Sequence, residues 1–133
     1  MPTSNQAHQI IAASESRAAD LGVAVNIAVL DAAAHLKAFS RMDGAVLGSI
    51  DVAVKKAATA ALFQTPSEAV WEYCKPGAPA HALEHTNGGL APFAGGLPLR
   101  GADGAMLGAI GVSGGTVAQD LEIAAAGAAA LFT

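Results

Sequence analysis

The chain has 133 residues, with 7 basic and 11 acidic side chains, four His and one Cys, for a formal charge of −4. That length suits a single domain, expected over residues 1–133, large enough to bury a core without disulfide or metal staples. Apolar residues make up 53% and charged residues only 14%. Much of the surface must therefore be Ala, Gly and small polar groups, which invites burial against a second copy of the chain.

The acidic balance, with Lys55-Lys56 as the longest basic run, offers no electrostatic footprint for nucleic acid. No stretch reaches the roughly 18 apolar residues of a membrane span, and no leader signature opens the chain. The lone Cys74 excludes an intrachain disulfide framework. The expectation is a cytoplasmic protein with neither nucleic-acid nor membrane partners.

Ile10, Ile11, Ala18 and Leu21 recur among polar neighbours over residues 5–21 and Gly22 follows as a terminator, which predicts an amphipathic helix. Val23 to Leu30 and Leu36 to Arg41 flank a short turn, Asp31-Ala32-Ala33-Ala34-His35, and read as a β-hairpin. Ser49 is placed to cap a helix through Phe63, with Ile50, Val54, Ala57, Ala61 and Leu62 on its apolar stripe and Pro66 beyond its end. A short helix is expected over Ser67 to Tyr73. Residues 75–98 then gather Pro and Gly, the composition of an irregular functional loop, with Leu90 to Ala94 able to add a strand.

Leu97 to Arg100 and Ala105 to Val112 flank Gly101-Ala102-Asp103-Gly104 and form a second hairpin. Thr116 with Gln119 is a capping box that opens a helix through Leu131. Helix, hairpin, helix, loop, hairpin, helix predicts an α+β domain, a sheet of antiparallel hairpins covered by helices.

Several motifs carry chemistry on paper. His81-Ala82-Leu83-Glu84-His85 spells H-x-x-E-H, which in inverted zinc peptidases sets two His one helical turn apart on the metal. Pro76, Pro79 and Asn87-Gly88-Gly89 leave little room for that helix, so a ligand-contacting role for His81 or His85 is the better functional reading, with a plain surface loop as the alternative. Gly111-Val112-Ser113-Gly114-Gly115 spells G-x-S-x-G, but a hydrolase sheet is larger and mainly parallel. Its glycines are better read as a sharp strand exit, after which the amides of Gly114, Gly115 and Thr116 at a helix start could hold a carboxylate. Arg41, just before Met42-Asp43-Gly44, and Lys55 offer cations for an anionic ligand, unless they only form surface pairs with Asp43 and Asp51. Trp71, Tyr73 and Phe93 flank the irregular segment and could line an apolar pocket or simply pack in the core. Cys74 reads as an inert small hydrophobe.

Val29-Leu30-Asp31-Ala32-Ala33-Ala34-His35-Leu36, Arg41-Met42-Asp43-Gly44-Ala45, Ser49-Ile50-Asp51-Val52-Ala53, Pro92-Phe93-Ala94-Gly95-Gly96-Leu97-Pro98-Leu99 and Gly108-Ala109-Ile110-Gly111-Val112-Ser113-Gly114-Gly115 occur in an order and spacing that resembles the GlcG/HbpS-like family. The resemblance covers nearly the whole chain. It implies a profilin-like sandwich with an antiparallel sheet of about five strands, assembled into homo-oligomers. Members are commonly labelled heme-binding or heme-degrading, related domains accompany corrinoid enzymes, and some relatives resemble small-molecule lyases of aromatic degradation. The chain departs from the family pattern at Ala33-Ala34, where Gly is frequent, and in the loop from His81 to Asn87.

Two functions follow. In the first the protein binds a tetrapyrrole such as heme: Arg41 or Lys55 meets propionates, His81 or His85 ligates iron, and Asn87, Phe93, Ser113 and Gly114 complete the pocket. In the second it is a cofactor-independent lyase or isomerase on a small anionic substrate, aromatic or not. There Arg41 or Lys55 binds the carboxylate and His85, oriented by Glu84 or Asn87, shuttles a proton.

Overall fold

The computed structural model describes residues 1–132; Thr133, the last residue of the expected domain, lies outside the described residues. The first helix, α1 (Ser4–Leu21), ends at Gly22, whose left-handed backbone (φ 69°) lets its N–H reach the Ala18 and Ala19 carbonyls. Its start is fixed by a capping box between Thr3 and Gln6, a signal that Thr3-x-x-Gln6 carried in the sequence. The hairpin of β1 (Asn26–Asp31) and β2 (Leu36–Arg41) follows. Asp31 Oδ1 accepts from the backbone N–H of Ala33 and His35, at 2.9 Å each, and so closes the turn. Those bonds, that of His35 first, hold the Asp31 carboxyl below its usual range. Ala34 adopts φ 65° in this turn, so the missing glycine has a conformational cost of roughly 1 kcal/mol.

Next come α2 (Ser49–Phe63), α3 (Ser67–Cys74), a 3₁₀ turn (Leu83–His85), β3 (Gly96–Arg100), β4 (Met106–Ser113) and α4 (Val117–Ala129), with a last 3₁₀ turn at Ala130–Phe132. The expected capping box at Thr116 and Gln119 forms. Ser49 does not cap α2: it is the first helical residue, Gly48 precedes it in helical conformation, and the 46–50 stretch winds in through Ser49 N–H to Val46 O and Ile50 N–H to Leu47 O bonds.

The sheet has four antiparallel strands in the order β2-β1-β4-β3. The expectation of about five strands is corrected here. Residues 90–94 run as irregular chain because their polar partners lie outside the sheet: Ala91 N–H donates to Thr59 Oγ1 (3.0 Å) and the Phe93 carbonyl accepts from Ser67 Oγ (2.6 Å).

One sheet face carries Ile27, Val29, Leu99, Ile110 and Val112 against α1 and α4. The other carries Ala28, Leu30 and Ala109 against Ala53, Ala57, Ala60 and Ala61 of α2. The expected α2 stripe is therefore displaced: Leu62 is 46% exposed, while alanines and Lys56 are buried. Its cause is the floor beneath the helix. A Cβ on Gly111 would stand 2.0 Å from the Ala53 carbonyl oxygen, and one on Gly96 would stand 2.3 Å from that of Lys56. These two glycines are direct cross-strand partners, so the helix backbone rests on bare sheet and only small side chains fit between them.

Candidate functional site

The strand register gathers one end of the sheet. Asn26 opens β1 opposite both Arg41, which closes β2, and Ser113, which closes β4. With strands about 4.8 Å apart, Arg41 and Ser113 stand roughly 10 Å from one another across Asn26. Asn26 is fully buried; its Nδ2 donates to the Val46 carbonyl (3.1 Å) and its Oδ1 has no partner among the described residues.

At the β4 end of this row lies a buried ion pair. Lys56 Nζ donates to Asp120 Oδ2 and to the Val112 carbonyl, both at 2.9 Å, with the Lys56 and Asp120 side chains 1% and 2% exposed. Asp120 Oδ1 accepts from Gly115 N–H (2.9 Å). The pair thus ties α2, the end of β4 and the first turn of α4 together. Burial pushes the Lys56 pKa down, and the hydrogen bond and charge of Asp120 oppose that without cancelling it. The Phe93 ring covers the ammonium, its centre 5.1 Å from Nζ. A Cβ on Gly95 would come within 2.7 Å of the same Nζ, so the glycine beside Phe93 makes room for the lysine.

Phe93 belongs to the wall of a cavity of about 740 Å³, lined by Glu68, Trp71 and Glu72 of α3, Glu84 of the 3₁₀ turn, Leu90, Pro92 and Ala94 beside Phe93, and Val117 of α4. Ser67 Oγ positions that wall by donating to the Phe93 carbonyl and accepting from Gly96 N–H (2.9 Å). Glu72 pairs with Lys75 (2.6 Å). Glu68 and Glu84 have neither an ion-pair nor a side-chain hydrogen-bond partner among the described residues, and Glu68 Oε2 and Glu84 Oε1 are buried. A second hollow of about 570 Å³, with Tyr73, Phe63 and Leu83 in its walls, lies on the other side of α3.

The predicted site residues divide between places. Glu84 and Phe93 line the larger cavity. His81, His85 and Asn87 lie exposed on the loop outside it, and Arg41 is exposed at the end of β2. Lys55 Nζ donates to the Gly88 carbonyl (3.1 Å), fastening that loop to α2. Ser113 is 6% exposed in the strand-end row, and Gly114 takes φ 140° just after it. Neither an Arg41–Asp43 nor an Asp51–Lys55 ion pair occurs among the described residues.

Two of the three amides that were read as an anion site are occupied by the chain itself: Gly115 N–H donates to Asp120 Oδ1 and Thr116 N–H to Gln119 Oε1. The H-x-x-E-H stretch forms only a 3₁₀ turn entered through Ala82 at φ 73°, so its two His are not stacked on an α-helix. Among the described residues no group of three or more His, Cys, Asp or Glu is placed to hold a metal ion. Cys74 is buried, and burial first, then the Glu84 charge, pushes its thiol pKa up, away from nucleophilic chemistry.

Sequence reasoning did not single out Lys56 with Asp120, Asn26 or Glu68. The first pair joins residues 64 apart and has no local signature; a lysine in the middle of an alanine-rich helix face was its one visible trace.

A four-stranded α+β domain with an apolar, carboxylate-bearing cavity at the sheet end is the class defined by fold and site. The chain belongs to the HbpS-like family: a model described as "Haem degrading protein HbpS-like" matches residues 3–129. It is 38% identical over 125 residues to the corrinoid adenosyltransferase PduO of Salmonella typhimurium, covering 93% of this chain but only 37% of that protein. The crystal structure of Klebsiella pneumoniae protein ORFY superposes with a TM-score of 0.95 at 32% identity, over 98% of this chain and 90% of that one. That of a PduOC:heme complex superposes at 0.89 and 36% identity, over 95% and 91%.

Tested against heme, the cavity offers a volume in the ordinary range for ligand pockets and two aromatic side chains, Trp71 and Phe93. Among the described residues its lining holds no His, Cys, Met or Tyr to ligate iron and no cation for the propionates.

Proposed function

We propose that this chain is a small-ligand-binding protein and that a tetrapyrrole, heme foremost, seats in the cavity between α3, the 84–94 segment and the start of α4. The observation that carries the reading is the cavity: about 740 Å³, walled by Trp71, Leu90, Pro92, Phe93 and Val117, in a family one of whose members is crystallised with heme. Trp71 and Phe93 stack on the ring, and the Lys56–Asp120 pair and Ser67 hold Phe93 in place. In this reading iron ligation falls to His81 or His85, on the loop that carries Glu84 into the wall. Lys55 and Asn87, at the loop outside the cavity, are left for the propionates, and Ser113 and Gly114 shape the neighbouring strand end; Arg41, closing the opposite edge strand β2, takes no part in this reading.

Self-association is part of the reading. Leu62, Tyr73 and Phe132 are 46%, 60% and 65% exposed, apolar surface that a second copy would remove from water. An acid–base enzyme built on His85, Glu84 and Arg41 draws less support, because only Glu84 of the three lines the cavity.

The test is a hemin titration followed by absorbance. Saturable one-to-one binding is expected, weakened about tenfold or more by Trp71→Ala or Phe93→Ala. The His81→Ala/His85→Ala double variant should lose the shift of the Soret band while still binding the ring. Nonsaturable adsorption, or a titration indifferent to both wall residues, would overturn the reading.

A further inference from the structure

The walls of the cavity hold an imbalance of charge. Three carboxylates, Glu68, Glu72 and Glu84, stand in an otherwise apolar and aromatic lining, and no Lys, Arg or His joins them. Glu72 has its own cation in Lys75. Glu68 and Glu84 do not, and they supply two of the three buried side-chain atoms without a hydrogen-bond partner among the described residues. A carboxylate oxygen taken from water without a donor is costly, and the cost is relieved by a ligand that brings an N–H donor or a positive charge. The same cavity is lined by two aromatic side chains, Trp71 and Phe93, a residue type that attracts cations, one face of Phe93 being already set over Lys56 Nζ. Aromatic faces and unpaired carboxylates favour the same ligand charge. A carboxylate entering this space would meet like charge.

We propose that the cavity selects flat aromatic ligands that are positively charged or rich in N–H donors, and rejects anionic groups. Glu68 and Glu84 are its charge-selecting residues. This rests on the cavity being the ligand site, and it limits how a tetrapyrrole enters: ring first, with its carboxylates outside.

The experiment compares two three-ring fluorescent probes of similar size on the full chain, 9-aminoacridine as the cation and anthracene-9-carboxylate as the anion, alongside hemin and its dimethyl ester. The cation is expected to bind at least about tenfold tighter than the anion, with affinity falling as salt rises. Glu68→Gln and Glu84→Gln should each weaken it by about three- to tenfold, and the ester should bind tighter than hemin. Gln keeps the shape of Glu, and a thermal melt of each variant checks that the fold is intact. Equal or tighter binding of the anion, or Gln variants that leave the cation unaffected, overturns the proposal.

The two readings fail separately. Hemin without aminoacridine leaves the tetrapyrrole reading and removes this one, aminoacridine without hemin does the reverse, and no binding of any probe removes both.

Discussion

Replacing Lys56 by Met retains an unbranched apolar side chain beneath Phe93 and removes only the ammonium. Asp120, with its side chain 2% exposed, then keeps Gly115 N–H on one oxygen and nothing on the other, and the Val112 carbonyl loses a donor. Breaking a buried pair from one side leaves an uncompensated charge, at a cost of about 3–5 kcal/mol. For a chain of this length the unfolding entropy is about 0.28 kcal/mol/K, so the melting temperature should fall by roughly 10–18 °C. Asp120→Asn placed on top removes the stranded charge while Oδ1 can still accept from Gly115, and should recover at least about half of the loss. Urea unfolding of both singles and the double, in one buffer near neutral pH, measures the cycle. A Lys56→Met loss below about 1 kcal/mol, or a double variant no better than the single, would refute the view that this pair holds α2, β4 and α4 together.

Because burial lowers the Lys56 pKa from its ordinary 10.5, the native chain releases that proton before the unfolded chain does. Between the lowered value and 10.5 the unfolded state binds more protons, so the contribution of this group to stability rises with pH, and the rise should vanish in Lys56→Met when unfolding is followed across alkaline pH. Gly111→Ala drives a methyl into the Ala53 carbonyl and should cost at least about 2 kcal/mol by urea unfolding; Gly48→Ala, with nothing within 4 Å, should stay within about 0.5 kcal/mol. Ala34→Gly relieves a left-handed alanine and should stabilise by up to about 1 kcal/mol in the same assay. Cys74, buried with a raised pKa, should react with a thiol reagent at pH 8 only as fast as the chain opens, and rapid stoichiometric labelling of the folded protein would contradict its placement.

Local signals carried most of the fold. Gly22 ended α1, the Thr116–Gln119 box opened α4, and both hairpins lay where short apolar runs flank turn residues. What failed was whatever depended on a distant partner. Leu90 to Ala94 had the composition of a strand, but Thr59 and Ser67, from α2 and α3, take its backbone groups. The apolar stripe through Leu62 obeyed helical periodicity, yet bare glycines at 96 and 111 bring the helix so close that alanines face the sheet instead.

The site was legible in pieces. Phe93, Trp71 and Glu84 were nominated and do meet in one wall, because the loop that carries two of them is pinned to helices that precede it. Lys56 and Asp120 had no spacing to betray them, and the histidines drew notice through a motif whose helix does not form.

Whether ligand enters the cavity of Trp71, Phe93 and Glu84 is open to direct observation. Ferric heme broadens the nuclear resonances of nearby groups, so adding substoichiometric hemin to ¹⁵N-labelled protein and recording amide spectra locates the ligand directly. Signals from residues 68–72, 90–94 and 117 should fade first, with those of β2 preserved. Broadening centred on Arg41 and the open end of β2, or spread evenly over the surface, would contradict entry into this cavity.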